Sequence, residues 1–257
     1  MRIVSLVPST TESVCELGAG AQLVGRTRYC TEPATVAGVA SIGGTKNPDL
    51  ERIVQLEPDL VLANAEENRS EDIEWLTQRV ETLVQTPCTV PEAGQCLRDL
   101  GRRLGADEEH LSSLLLRIEA ELLLAQSNRA GREQPLRVYY AIWRKPWMTV
   151  AANTFIGDVL SRLGADVVRP AGFGDADHAG SVRYPECSPD QAIAAGVDLV
   201  LLASEPWEFN DAQCAEIRAE SLFGEARVEL CDGRDFCWHG TRMAEGLGRA
   251  RRLLQRS

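Results

Sequence analysis

Hydrophobic positions along this chain alternate between two kinds of segment. Short apolar runs read as buried strands: Arg2 to Val7, Leu23 to Arg26, Leu60 to Ala63, Thr82 to Gln85, Arg137 to Trp143, Leu199 to Ala203 and Val228 to Cys231. Longer segments with apolar residues every third or fourth position read as helices. One opens at Pro8-Ser9-Thr10-Thr11-Glu12, others run through Trp75, from Pro91 to Leu104 and from Phe155 to Leu163, and the last closes the chain through Leu254. The longest period spans Asp107 to Ser127, where Leu111, Leu115, Ile118, Leu122 and Ala125 recur at steps of three and four. Asp107 sits at its N-cap, Glu108 and Glu109 lie where the helix dipole favours acids, and Gly131 and Pro135 mark its far end. Such a helix spans roughly 30 Å, about the width of a small domain.

The segments on either side of this helix resemble each other. Pro48-Asp49-Leu50-Glu51-Arg52-Ile53 followed by Pro58-Asp59-Leu60-Val61-Leu62-Ala63 parallels Ser188-Pro189-Asp190-Gln191-Ala192-Ile193 followed by Val197-Asp198-Leu199-Val200-Leu201-Leu202-Ala203. Each is a capped helix feeding a strand through a turn that ends in Asp. Upstream, each half has a strand, a polar loop and a helix ending in Leu-Gly-Ala, at Leu17-Gly18-Ala19 and Leu163-Gly164-Ala165. The pattern predicts an α/β protein of two Rossmann-like lobes with mainly parallel sheets, joined by one long rigid helix. The expected boundaries are residues 1–105 for the first lobe, 106–130 for the helix and 131–257 for the second lobe.

Ligands of open α/β sheets bind at the carboxyl ends of strands. Trp143, Trp147, Trp207 and Trp238 each fall just past a strand, and Tyr29, Tyr184, Phe209 and Phe236 occupy similar loops. So many aromatics at equivalent ends favour a cleft for a large flat ligand. The strand-to-helix turn at Pro8-Ser9-Thr10-Thr11-Glu12 leaves backbone N–H groups facing the end of the sheet, where a ligand oxygen fits. Its hydroxyls are expected to cap the helix, with Glu12 completing a capping box. Gly18, Gly20 and Gly25 follow a helix instead of opening one, so they are not a phosphate cradle.

A net charge of −11 disfavours a nucleic-acid backbone or an anionic membrane surface as partner. No apolar run approaches the length of a membrane span. Eight cysteines without a CxxC or a regular framework, and an N-terminus that enters a strand directly, point to free thiols and a cytoplasmic setting. No nucleophile elbow, P-loop or zinc-type histidine spacing is present. His178 and His239 lie on cleft loops, as polar cleft residues or as ligands of a metal centre.

Four motifs carry a wider resemblance: Ile3 to Glu12, Leu56 to Ala63, Ile142 to Val150, and Asp232-Gly233 through Arg242. Over nearly its whole length the chain resembles the cobalamin-binding, helical-backbone metal-receptor family of ABC-transporter substrate-binding proteins. The resemblance implies a monomeric, non-enzymatic carrier whose ligand is a metal chelate, a corrinoid such as cobalamin or a related haem or siderophore, with no catalytic cofactor or metal of its own. It places Tyr29, Trp143, Trp147, Tyr184 and Trp238 along a cleft between the lobes, with Ser9, Thr10, Gly43 and Gly44 as small polar edges. Trp207, Phe236 and His239 join them from their loop positions. Asn64 stands where vitamin B12-binding relatives can carry an aromatic. An ABC permease would dock through Glu71, beside Ser70 at the nearest matching position, and through Asp190. The family is extracytoplasmic, against the cytoplasmic expectation from the chain itself. A bilobal chelatase acting on a tetrapyrrole is the enzymatic alternative; it needs a histidine beside a carboxylate, from His178 with Asp175 and Asp177 or from His239 with Asp235.

Overall fold

The computed structural model describes residues 1–129, 134–170 and 182–255, so Gly131 and the loop carrying Asp175, Asp177 and His178 lie outside the described residues. The chain divides into two compact units. The first holds Met1–Pro87, Pro91–Leu115 and His239–Arg242; the second holds Cys88–Val90, Leu116–Trp238 and the residues from Met243 onward. The short exchanges at Cys88–Val90 and His239–Arg242 have no counterpart in the sequence pattern.

The first unit contains β1 (Ile3–Ser5), α1 (Pro8–Glu16), β2 (Leu23–Arg26), β3 (Ala40–Ser41), α2 (Leu50–Gln55), β4 (Leu60–Ala63), α3 (Ser70–Thr77), β5 (Thr82–Val84) and α4 (Val90–Leu104). Its five strands are all parallel, in the order β3-β2-β1-β4-β5. Parallel strands are covered on both faces, which is why β1 and β4 are continuous apolar runs, buried throughout. Val4, Leu6, Ile42, Ile53, Val61 and Leu76 form the core between sheet and helices.

The cap of α1 differs from expectation. Pro8 occupies the first turn, so the N-cap falls on Val7, which has no side chain to donate or accept. The hydroxyls therefore lie inside the helix and bond back to it: Thr11 to the Val7 carbonyl at 2.9 Å and Ser13 to the Ser9 carbonyl at 2.9 Å. Glu12 pairs with Arg242 at 3.3 Å instead of closing a capping box.

The long helix is α5 (Glu108–Arg129). Asp107 caps it as expected, accepting from the His110 N–H at 2.7 Å. Its buried seam is Leu111, Leu114, Ile118 and Ala125, while Leu115 and Leu122 are half-buried at its flank. In its second half, Arg117 pairs with Glu245 and Glu121 with Arg251 on α10 (Met243–Gln255), both within the second unit.

The second unit continues with β6 (Leu136–Ala141), the antiparallel hairpin β7 (Trp143–Arg144) and β8 (Trp147–Met148), α6 (Phe155–Arg162), β9 (Ala165–Val167), α7 (Pro189–Ala194), β10 (Leu199–Ala203), α8 (Asp211–Ala219), β11 (Arg227–Cys231) and α9 (Arg234–Cys237). Its four-stranded sheet is parallel, in the order β11-β10-β6-β9. Read from the other edge, β9-β6-β10-β11 repeats β2-β1-β4-β5, so the internal repeat in sequence is a repeat of topology. Two separate sheets, each mainly parallel, confirm the expected architecture. The repeated motifs have the same local cause in each unit. Asp49 caps α2 by accepting from the Arg52 N–H, Ser188 caps α7 in a full capping box, and Gly18 and Gly164 end their helices at φ +82° and +89°.

Candidate functional site

In an open parallel sheet the ligand position is the point where strand order reverses. In the first unit that point lies between β1 and β4, since the chain leaves β1 for β2 on one side and later enters β4 on the other. The residues just beyond these strand ends are the α1 turn and Asn64.

Ser9 and Thr10 are both buried in the first turn of α1, and Ser9 Oγ has no hydrogen-bond partner among the described residues. Asn64 is buried, and its Oδ1 accepts from the Glu66 N–H at 2.7 Å. That bond turns Nδ2 toward His239 Nε2, 3.3 Å away. The amide can only donate there, so Nε2 must accept and the ring proton belongs on Nδ1. Burial lowers the His239 pKa to about 4, and a second proton would set two donors face to face. His239 is therefore a neutral ring at pH 7. Asn68 completes the loop, accepting from the Asn64 N–H at 2.8 Å and donating to the Thr45 carbonyl at 3.0 Å. Gly240, at φ +99°, follows His239 and presses on Ser13, leaving no room for a Cβ.

Gly43 and Gly44 form the loop after β3. Gly43 has φ +97°, and a Cβ there would stand 2.8 Å from the Asn47 carbonyl oxygen, so glycine is required. Gly44 lies beside Tyr29, which is 53% exposed, and beside the Arg28 guanidinium 5.2 Å from the Tyr29 ring centroid. Below them Cys30 is buried against the hydroxyls of Thr11 and Thr27, at 3.0 and 3.1 Å. Burial pushes its thiol pKa up, which makes it a structural residue and not a nucleophile.

In the second unit the order reverses between β6 and β10. Trp143 and Trp207 follow those two strands and meet edge to face, with ring centroids 4.9 Å apart. Trp143 is 37% exposed, and its indole N–H donates to the Lys145 carbonyl. Tyr184 is exposed to the same extent. Trp147, like Trp207, is partly buried against the core: it stacks on Phe209 at 5.9 Å and meets Phe223 edge-on at 5.3 Å. Phe236 is buried on Tyr140 at 5.4 Å. Trp147 and Phe236 are thus placed in the packing of this unit. Trp238 is also buried, beside Arg234 and the Glu205 carboxylate. Glu205 has its pKa raised by burial, although Cys237 and Trp238 donate to it. Asp235, the carboxylate considered for His239, is gripped by Arg249 through two bonds of 2.7 Å.

Residues 3–225 match the periplasmic binding protein family. The chain belongs to that family. It is 26% identical over 217 residues to the vitamin B12-binding protein of Vibrio campbellii, covering 84% of this chain and 74% of the relative. The vitamin B12-binding protein of Pectobacterium atrosepticum is 25% identical over 196 residues, covering 75% of this chain and 67% of the relative. In fold, the chain is similar to the periplasmic vitamin B12-binding protein BtuF of Vibrio cholerae, with TM-score 0.81 at 20% identity, covering 100% and 98% of the two chains. It is also similar to the periplasmic haem-binding protein RhuT from Roseiflexus sp. RS-1, with TM-score 0.78 at 22% identity over 98% and 97% of the chains. The fold is that of the substrate-binding proteins of ABC transporters which carry cobalamin or haem.

The polar partners of these aromatics escaped the sequence reading: Arg28, Arg144, Glu205 and Arg234. A usable signal was there, since basic residues adjoin the aromatics in Arg28-Tyr29, Trp143-Arg144-Lys145 and Arg183-Tyr184. Arg183 stands 5.9 Å from the Tyr184 ring and Arg144 6.0 Å from that of Trp147.

Proposed function

We propose that this protein is the non-enzymatic binding component of an ABC-type uptake system, and that its ligand is a corrinoid of the cobalamin class. The single observation that carries the reading is the Trp143–Trp207 pair at the strand-order reversal of the second unit, in which Trp143 is exposed and Trp207 is partly buried against the core. An exposed indole such as Trp143 is costly in water and suits the apolar face of a macrocycle. In the first unit we assign Ser9, Thr10, Tyr29, Gly43 and Gly44 to contacts with polar groups of a ligand. Both vitamin B12-binding relatives support the corrinoid; the haem-binding RhuT supports a porphyrin as the second reading.

Glu71 and Asp190 are exposed in the first turns of α3 and α7, and we assign them the permease contacts. No helix among the described residues is long and apolar enough to cross a membrane; the family match supports an extracytoplasmic setting. Absorbance titration with cyanocobalamin tests the reading. Trp143→Ala and Trp207→Ala should each weaken binding about tenfold, or about 1.4 kcal/mol. Variants that bind as the parent does would remove the aromatic pair from the site.

A further inference from the structure

The part of α5 that belongs to the second unit is apolar on two opposite faces. Ile118 and Ala125 are buried. On the other side Leu116, Leu123 and Leu124 are 64%, 63% and 49% exposed, and Ala120 and Ser127 are exposed with them. Single leucines in water are ordinary, but three on one side of one helix make a contiguous stripe and mark a contact surface. Leu116, Ala120, Leu123 and Ser127 follow steps of four, three and four, the spacing that keeps one stripe turned toward a second helix. Large and small residues alternate along it, so two copies in register set leucine on leucine and come close at Ala120 and Ser127.

The two flanks of the stripe differ in charge. On one flank α10 lies against α5, held by the Glu121–Arg251 pair at 2.9 Å; a Cβ at Gly248 would stand 2.9 Å from the Glu121 carboxylate. Between these helices runs a groove of about 350 Å³ in which Ala120 is joined by Arg117, Arg249 and Arg252. Glu245 pairs with Arg117 and Arg249, at 3.1 and 3.2 Å, whereas Arg252 is exposed and pairs with no described carboxylate. Helical geometry puts Glu119 on the opposite flank, also exposed and without an ion pair among the described residues. We propose that this face of α5 joins two copies of the chain about a two-fold axis parallel to the helix. The leucine stripes then meet, and the Glu119 flank of each copy faces the Arg252 flank of the other. An antiparallel pair would set arginine against arginine and Glu119 against Glu119. A net charge of −11 disfavours an anionic membrane as the occupant. One helix face is a small contact, below the roughly 1,200 Å² of standard specific interfaces, so the dimer forms with a dissociation constant on the order of 100 µM. The inference goes beyond the ligand reading and does not depend on it.

Sedimentation equilibrium of the full chain, up to about 500 µM, tests the proposal and should show a reversible monomer–dimer exchange. Leu116→Glu with Leu123→Glu should weaken it at least about tenfold. The denaturation midpoint should stay in place, because both side chains already stand in water. Glu119→Arg should also weaken the dimer, and adding Arg252→Glu should restore it, since the swap returns opposite charges to facing flanks. Ser127→Cys should give a disulfide-linked dimer under mild oxidation where the parent, with its eight native thiols, gives none. Residue 127 meets its own copy only in the parallel pair. A parent that stays monomeric at the highest concentration, or a dimer that survives both glutamates, would overturn the proposal. A charge swap without rescue, or a Ser127→Cys dimer that does not cross-link, would overturn the parallel arrangement. A monomeric parent that sediments with phosphatidylcholine vesicles would overturn the proposal in favour of a lipid surface.

Discussion

Burial holds His239 neutral, and its ring nitrogen accepts from the Asn64 amide. Its folded pKa of about 4 lies below the ordinary 6.5, so the unfolded chain takes up a proton that the native state refuses. The associated stability is intact above about pH 6.5 and drains away as pH falls toward 4, by about 3 kcal/mol at most. Denaturant melts across that window should show a steep loss for the parent and a flatter one for His239→Gln. Equal slopes would mean that the ring is solvated. Trp143 and Trp147 give a second contrast at this scale. Both follow β6 in sequence, but the hairpin register pairs Trp143 with Met148 and Arg144 with Trp147, so the two indoles fall on opposite faces. Trp147→Ala should therefore cost about 3–5 kcal/mol of stability, as a core truncation does. Trp143→Ala should leave the denaturation midpoint nearly in place. A similar loss for both would refute the assignment of one as core and one as site. The sequence spacing of these residues shows that they end strands; the turn at Lys145-Pro146, which decides their faces, is a tertiary matter.

At the scale of elements, caps and glycines are where sequence and structure agree best. Asp49, Asp107 and Ser188 each cap the helix that their position announces. Ser188→Ala should cost about 1 kcal/mol in an equilibrium unfolding curve, since it removes one side of a reciprocal box; no measurable change would mean that α7 is held by packing alone. The elements missed have weak local signals. β3 and β9 are two and three residues long, and a strand so short is visible only through its neighbours. α8 buries only Cys214 and Ile217, too few apolar positions to show a period, although the structure closes a capping box between Asn210 and Gln213 at its start. The α1 turn shows the opposite failure: hydroxyls that look like caps sit one turn too late because Pro8 takes the first helical position.

For the whole molecule, the repeat decides most of the architecture. Each half runs strand, helix ending in a left-handed glycine, strand, then capped helix and strand on the other side, and each builds the same strand order. The strand order then reverses between β1 and β4 in one sheet and between β6 and β10 in the other, the two positions to which the proposed site residues are assigned. What the sequence does not announce is the return of His239–Arg242 to the first unit, because it depends on contacts with Asn64, Ser13 and Glu12, residues more than a hundred positions away. Under the proposed function the protein is a carrier, which takes up a macrocyclic metal chelate and gives it back unaltered. The most direct test is to mix the purified protein with cyanocobalamin or hemin, remove free ligand by gel filtration, and unfold the eluted complex to recover what it held. The account predicts about one equivalent of macrocycle co-eluting with the protein, as expected for a binding constant well below the working concentration. The recovered macrocycle should keep its metal and its original spectrum. Protein that elutes without either macrocycle, or that returns one with its metal removed or exchanged, would contradict it.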